Sequence, residues 1–117
     1  MNNLHPYLIA ESQLSLDLVK LQQKAYLGDA DAQFALASAF QKGRNIIKNA
    51  RYAFYWFKKS ANQGNIAAQY NVWFSYLIGD GVEKDESEAN RWYQKASLKN
   101  SQSTNLVINN LLNPTFQ

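Results

Sequence analysis

The sequence predicts an all-α fold in which similar helix pairs stack on one another. Three observations carry that expectation. Shifting the chain by 36 residues lays residues 25–60 on 61–96 without an insertion. Glycine and Asn or Asp residues recur where helices would stop and start. The apolar residues between them follow helical spacing rather than the alternation of strands.

The shift gives nine identities: Ala25/Ala61, Gly28/Gly64, Ala32/Ala68, Gln33/Gln69, Gly43/Gly79, Lys48/Lys84, Ala53/Ala89, Trp56/Trp92 and Lys59/Lys95. Conservative pairs such as Phe34/Tyr70, Leu36/Val72, Phe40/Tyr76 and Phe57/Tyr93 fill the gaps. A repeat of this length is one supersecondary unit that buries its apolar face only by stacking on a neighbour.

Each element has its own local reason. A leading helix is expected over about 12–27, because Leu14, Leu18, Leu21 and Ala25 share one helical face. Asp29 and Asn65 are N-cap residues for helices over about 30–42 and 66–78, which Gly43 and Gly79 close. Asn49 and Asp85 cap second helices over about 50–62 and 86–98, and Glu88 stands at the capping-box position after Asp85. Asn100 occupies the place of Gly64, and Ser103 to Ile108 align with Ala67 to Val72. A sixth, closing helix over about 103–112 is therefore expected to cover the open end of the stack. The resulting organisation is a single domain of residues 1–117, with a leading helix, repeats at 28–63 and 64–99, and a closing helix at about 100–113.

The segment Ala68-Gln69-Tyr70-Asn71, then Tyr76, Gly79-Asp80-Gly81-Val82-Glu83-Lys84-Asp85, Ala89 and Trp92-Tyr93-Gln94-Lys95-Ala96 resembles the Sel-1-like repeat, a relative of tetratricopeptide hairpins. Gly43 to Asn49, Ala53 and Trp56 to Ala61 resemble it less closely. The resemblance implies an α-α superhelix, a right-handed solenoid whose first helices line a concave face. Two departures stand out. Asn45 replaces the family's loop glycine and tolerates a positive φ better than most residues. Trp73 replaces a small residue that lets the hairpin close, where the first unit keeps Ala37; it must either prise the helices apart or turn outward.

The helix over 66–78 has almost no polar stripe, and such a helix is either buried or presents a face to a partner. By the family's geometry Ala67, Tyr70, Phe74, Leu77 and Ile78 line the groove, with Trp73 beside them. Phe34, Ser38, Gln41 and Lys42 come from the preceding hairpin, and Leu106 and Asn110 from the closing helix. The alternatives are that the chain ends curl over this helix, or that a homodimer seals it. The repeated Ala53, Trp56, Phe57 and Ala89, Trp92, Tyr93 are expected in the core.

Charge is segregated along the chain. No acid occurs between Asp31 and Asp80, whereas Lys42, Arg44, Lys48, Arg51, Lys58 and Lys59 all do; Asp80, Glu83, Asp85, Glu86 and Glu88 follow. Loops one repeat apart should lie side by side. Arg44, Lys48 and Arg51 therefore either balance the acidic loop or form a rim that steers an acidic partner. The net charge of +3 is too small to argue for nucleic acid.

The 117 residues contain no cysteine, which removes disulfides, thiol nucleophiles and thiolate metal sites. The only histidine, His5, lies in a proline-flanked start, and no nucleophile elbow or phosphate cradle is present. No enzyme activity, metal or cofactor is anticipated. The start lacks a basic, apolar leader, and no stretch approaches a membrane span, so a complete cytoplasmic chain is expected. The function expected is capture of one protein partner, as in a small bacterial inhibitor or immunity protein that masks a toxin. The competing expectation is a structural adaptor or homodimer.

Overall fold

The structure, a computed structural model, describes residues 15–112, which form five α-helices and contain no strand. They are α1 (Leu16–Tyr26), α2 (Ala30–Lys42), α3 (Ala50–Asn62), α4 (Ile66–Ile78) and α5 (Glu86–Leu112). Each helix begins where a short polar side chain takes up an orphan amide. Ser15 accepts from the Leu18 N–H at 3.2 Å, Asp29 from Ala32 at 2.9 Å and Asn49 from Tyr52 at 3.0 Å. Asn65 accepts from Ala68 at 2.8 Å and Asp85 from Glu88 at 3.0 Å. The capping box does not form. The Asp85 N–H donates to the Tyr76 carbonyl at 2.9 Å, and the Glu88 carboxylate accepts from Arg91 at 2.6 Å instead. Leu14 and His5 lie outside the described residues.

The helices pack in chain order, each on the next, which makes a short helical solenoid. Burial follows the repeat. Ala32, Leu36, Ala37 and Phe40 of α2 and Ala53, Trp56, Phe57 and Ala61 of α3 form one continuous core with Ala68, Val72 and Tyr76 of α4 and Ala89 and Trp92 of α5. The repeated glutamines tie successive units together. Buried Gln33 donates to the Ala25 carbonyl at 3.0 Å, and buried Gln69 donates to the Ala61 carbonyl at 3.2 Å. Ser60 adds a 2.8 Å bond to the Ala30 carbonyl. These bonds satisfy polar groups that would otherwise be costly inside an apolar layer.

The expected sixth helix is not separate. α5 runs without a break from Glu86 to Leu112, so the segment expected to close the stack is its second half. Glycine makes the difference. The turns after α1 and α3 place Gly28 at φ +106° and Gly64 at φ +98°. Both lie well past the left-handed well near +57° that asparagine can enter. Asn100 stands at the third such position and stays helical. A helix of 13 residues such as α4 is about 20 Å long, whereas the 27 residues of α5 span about 40 Å. About half of α5 therefore projects past its partner, and the molecule is elongated at 59 × 34 × 22 Å.

Asn45 keeps its turn at φ +65°. Its counterpart Gly81 has a further reason to be glycine: a Cβ there would collide with the Ala50 carbonyl and meet the Phe54 Cβ at 3.2 Å. The loop at 79–85 thus rests directly on the start of α3.

Candidate functional site

One side of α4 carries a cluster of exposed and half-buried apolar side chains. Phe74 is 49% exposed and Ile78 53%, with Tyr70, Trp73 and Leu77 half-buried between them. The helix has buried residues on one side only, at Ala68, Gln69, Val72, Ser75 and Tyr76. Its remaining residues are nearly all apolar, so the outward side is apolar too. Trp73 is the hub. Its ring centroid lies 5.8 Å from Phe74, 6.5 Å from Tyr70 and 5.2 Å from Tyr93, and Tyr70 meets Tyr93 at 6.1 Å. These distances and tilts fall in the favourable range for aromatic pairs.

Tyr93 corrects an expectation. Its counterpart Phe57 is 2% exposed, whereas Tyr93 is 44% exposed. Phe57 is on α3, which packs on both α2 and α4, and its ring stands edge-on to Phe34 at 5.5 Å. Among the described residues α5 packs on α4 and on no further helix, and Tyr93 stays at the surface and joins the aromatic cluster. The same open side explains Trp73. Ala37 is fully buried under α3, but the indole of Trp73 turns onto Tyr93, and α4 remains packed on α5.

The other expected groove residues divide. Gln41 reaches the cluster's helix, its amide donating to the Asn71 side chain at 3.4 Å, which sets α2 beside α4. Ser38 is half-buried and Lys42 exposed on that same helix. Phe34 is half-buried and packs against the core instead of presenting its ring to the groove. Leu106 and Asn110 do not flank the groove. Both are exposed on the projecting half of α5, because the unbroken helix carries them beyond the end of α4. For the same reason this half does not curl over α4.

Arg44, Lys48 and Arg51 are exposed, and the basic loop does neighbour the acidic one through the Gly81–Ala50 contact. Direct pairing between the loops does not follow. Among the described residues the ion pairs are Lys84–Glu86 at 3.9 Å and Arg91–Glu88 at 2.6 Å, both on the acidic side. No group of three His, Cys, Asp or Glu side chains among the described residues converges to hold a metal ion. No described helix is long and apolar enough to cross a membrane.

Comparison with known proteins bears on this geometry. The family model described as Sel1 repeat matches residues 30–65 and 66–101. The chitin synthase regulator SKT5 of Saccharomyces cerevisiae is 31% identical over 85 residues, which is 71% of this chain but only 12% of that protein. A Sel1 repeat protein from Oxalobacter formigenes superimposes with a TM-score of 0.66 at 35% identity, covering 71% of this chain and 34% of that one. A protective antigen of uropathogenic Escherichia coli strains, which displays an SLR fold, gives a TM-score of 0.67 at 38% identity, covering 73% of this chain and 18% of the other.

Proposed function

The chain belongs to the Sel1 repeat family, a family of helical protein-interaction modules, and from that premise we propose that it is a non-catalytic module holding one protein partner on the aromatic face of α4 and α5. The observation that carries this is the contiguous cluster of Tyr70, Trp73, Phe74, Ile78 and Tyr93, which leaves Phe74 and Ile78 half exposed. Large rings clustered at one site are the side chains that dominate binding energy when a partner excludes water from them. Gln41 and Lys42 supply a polar margin on one side. Arg44, Lys48 and Arg51 add positive charge that favours a partner with acidic surroundings and raises the rate of encounter.

In its finer form the proposal is an inhibitor or immunity protein that masks a bacterial toxin in the cytoplasm. A second reading, regulation of an enzyme partner, is favoured by the similarity to a protein named as a chitin synthase regulator. Both readings place the contact at the same face, and they separate by whether the captured partner is toxic when produced without this chain.

A Phe74→Asp variant tests the face itself. It should lose the partner held by the parent chain while keeping the parent's helicity, because residue 74 already faces water. Retention of the partner would put the interface elsewhere. Sedimentation tests the competing homodimer: a dimer that persists on dilution and protects Trp73 from quencher would occupy this face with a second copy.

A further inference from the structure

The face of α3 turned away from the core carries a feature that the aromatic patch on α4 does not explain. The buried residues of α3 are Ala53, Trp56, Phe57, Ser60 and Ala61. On the opposite side Arg51, Phe54, Tyr55, Lys58 and Lys59 line an open recess of about 380 Å³, edged by the backbone of Gly81. No acid lines this recess, and among the described residues none of its three cations forms an ion pair. Gly81 brings no side chain to its rim, so that end stays open.

The two lysine ammoniums are held against rings. The Lys58 ammonium donates to the Tyr76 hydroxyl at 3.2 Å and stands 5.9 Å from the Phe54 ring centre and 5.8 Å from that of Tyr76. The Lys59 ammonium stands 5.7 Å from the Tyr55 ring centre. Rings and a hydroxyl orient an ammonium without giving it a counter-charge, so both lysines offer positive charge beside an apolar floor. Arg51 and Lys58 are seven residues apart, two turns of helix, and lie about 10.5 Å apart along its axis. An acceptor matched to this row has anionic groups at about that spacing on one edge and apolar surface between them.

We propose that this outer face of α3 is a second binding surface, for an acidic polypeptide segment in an extended, polyproline-type conformation. That conformation has three residues per turn and a rise of about 3.1 Å per residue, so every third side chain falls on one edge about 9 Å from the last. Glutamates at every third position then meet Arg51 and the lysine pair. Intervening prolines lie on Phe54 and Tyr55, since aromatic grooves accept polyproline segments. A nucleic-acid backbone fits less well, because Asp80 and Glu83, exposed on the loop that edges the recess, repel an uninterrupted line of phosphates.

Fluorescence anisotropy of a labelled repeating Glu-Pro-Pro peptide, titrated with the full chain at low salt, tests the proposal. Binding is expected, and replacing every Glu by Gln should weaken it by at least about tenfold. The Arg51→Gln, Lys59→Gln double variant should weaken it similarly; both side chains are exposed, and the Lys58–Tyr76 bond is kept. Arg44→Gln with Lys48→Gln should change it by less than about twofold, because surface charges outside the recess act weakly. Phe74→Asp should leave it unchanged, which separates this surface from the one on α4. Equal binding of the Glu and Gln peptides would overturn the proposal. So would an equal loss with the Arg44 and Lys48 changes, or binding of an oligothymidylate or of phosphatidylserine vesicles without binding of the peptide.

Discussion

Replacing Trp73 by alanine restores the small residue that the first unit carries at Ala37, yet it should destabilise the protein. If the indole prised α4 from α5, its removal would be neutral or favourable. The structure instead turns it outward onto Tyr93 at 5.2 Å and Tyr70 at 6.5 Å. Truncation re-exposes apolar surface of about 100 Å², worth roughly 2.5 kcal/mol. It also forfeits aromatic pairing of about 0.5–1.5 kcal/mol. The cluster lies at the open end of the stack, where neighbours relax into the space, so the net cost should be about 2 kcal/mol. For a domain of this size the melting temperature then falls by about 10 °C. Thermal and urea unfolding followed by circular dichroism measure it. The mirror change Ala37→Trp is the control: that site is fully buried between α2 and α3, and overpacking should cost about 3 kcal/mol or more. A Trp73→Ala variant as stable as the parent would refute the reasoning.

The other predictions concern turns and polar contacts. Gly81→Ala should cost about 2–4 kcal/mol, since a positive φ and a collision with the Ala50 carbonyl act together, whereas Asn45→Gly should stay within about 0.5 kcal/mol. Comparable unfolding midpoints for these two variants would rule out the packing of the loop on α3. Asn100→Gly should uncouple the projecting half of α5, removing up to about a sixth of the helical ellipticity at 222 nm; an unchanged signal would mean that this half is helical without support from the first. The Gln33 side-chain oxygen accepts from Gln63 at 2.8 Å, but the equivalent oxygen of buried Gln69 has no partner among the described residues. Lys99 stands one repeat after Gln63, so Lys99→Gln should supply the missing donor and raise stability by about 1 kcal/mol; an unchanged melting temperature would count against it.

Much of the fold was legible because its causes are local. Asp29, Asn49, Asn65 and Asp85 cap the helices that their positions announce, and Gly43 and Gly79 end them at positive φ. Asn45 holds a left-handed turn as its short polar side chain allows. The break expected near Asn100 failed for an equally local reason: a φ near +100° is open to glycine and not to asparagine. At Glu88 two local partners competed, and Arg91 at 2.6 Å won over the Asp85 amide.

The candidate site was legible only in part. The apolar character of α4 is enough to mark Tyr70, Trp73, Phe74, Leu77 and Ile78, since a helix with no polar stripe must hide or offer a face. Tyr93 was missed because the repeat equates it with Phe57, and a repeat describes what each position meets inside the stack. Position in the stack is a tertiary fact. The sequence by itself determined the helices, their caps and the repeating core, because these depend on near neighbours and on a register that recurs. Only the tertiary structure decided which copy of each position has a neighbour to cover it. An aromatic ring sandwiched between units is core, and the same ring on the last hairpin, with water on its outer side, is surface for a partner.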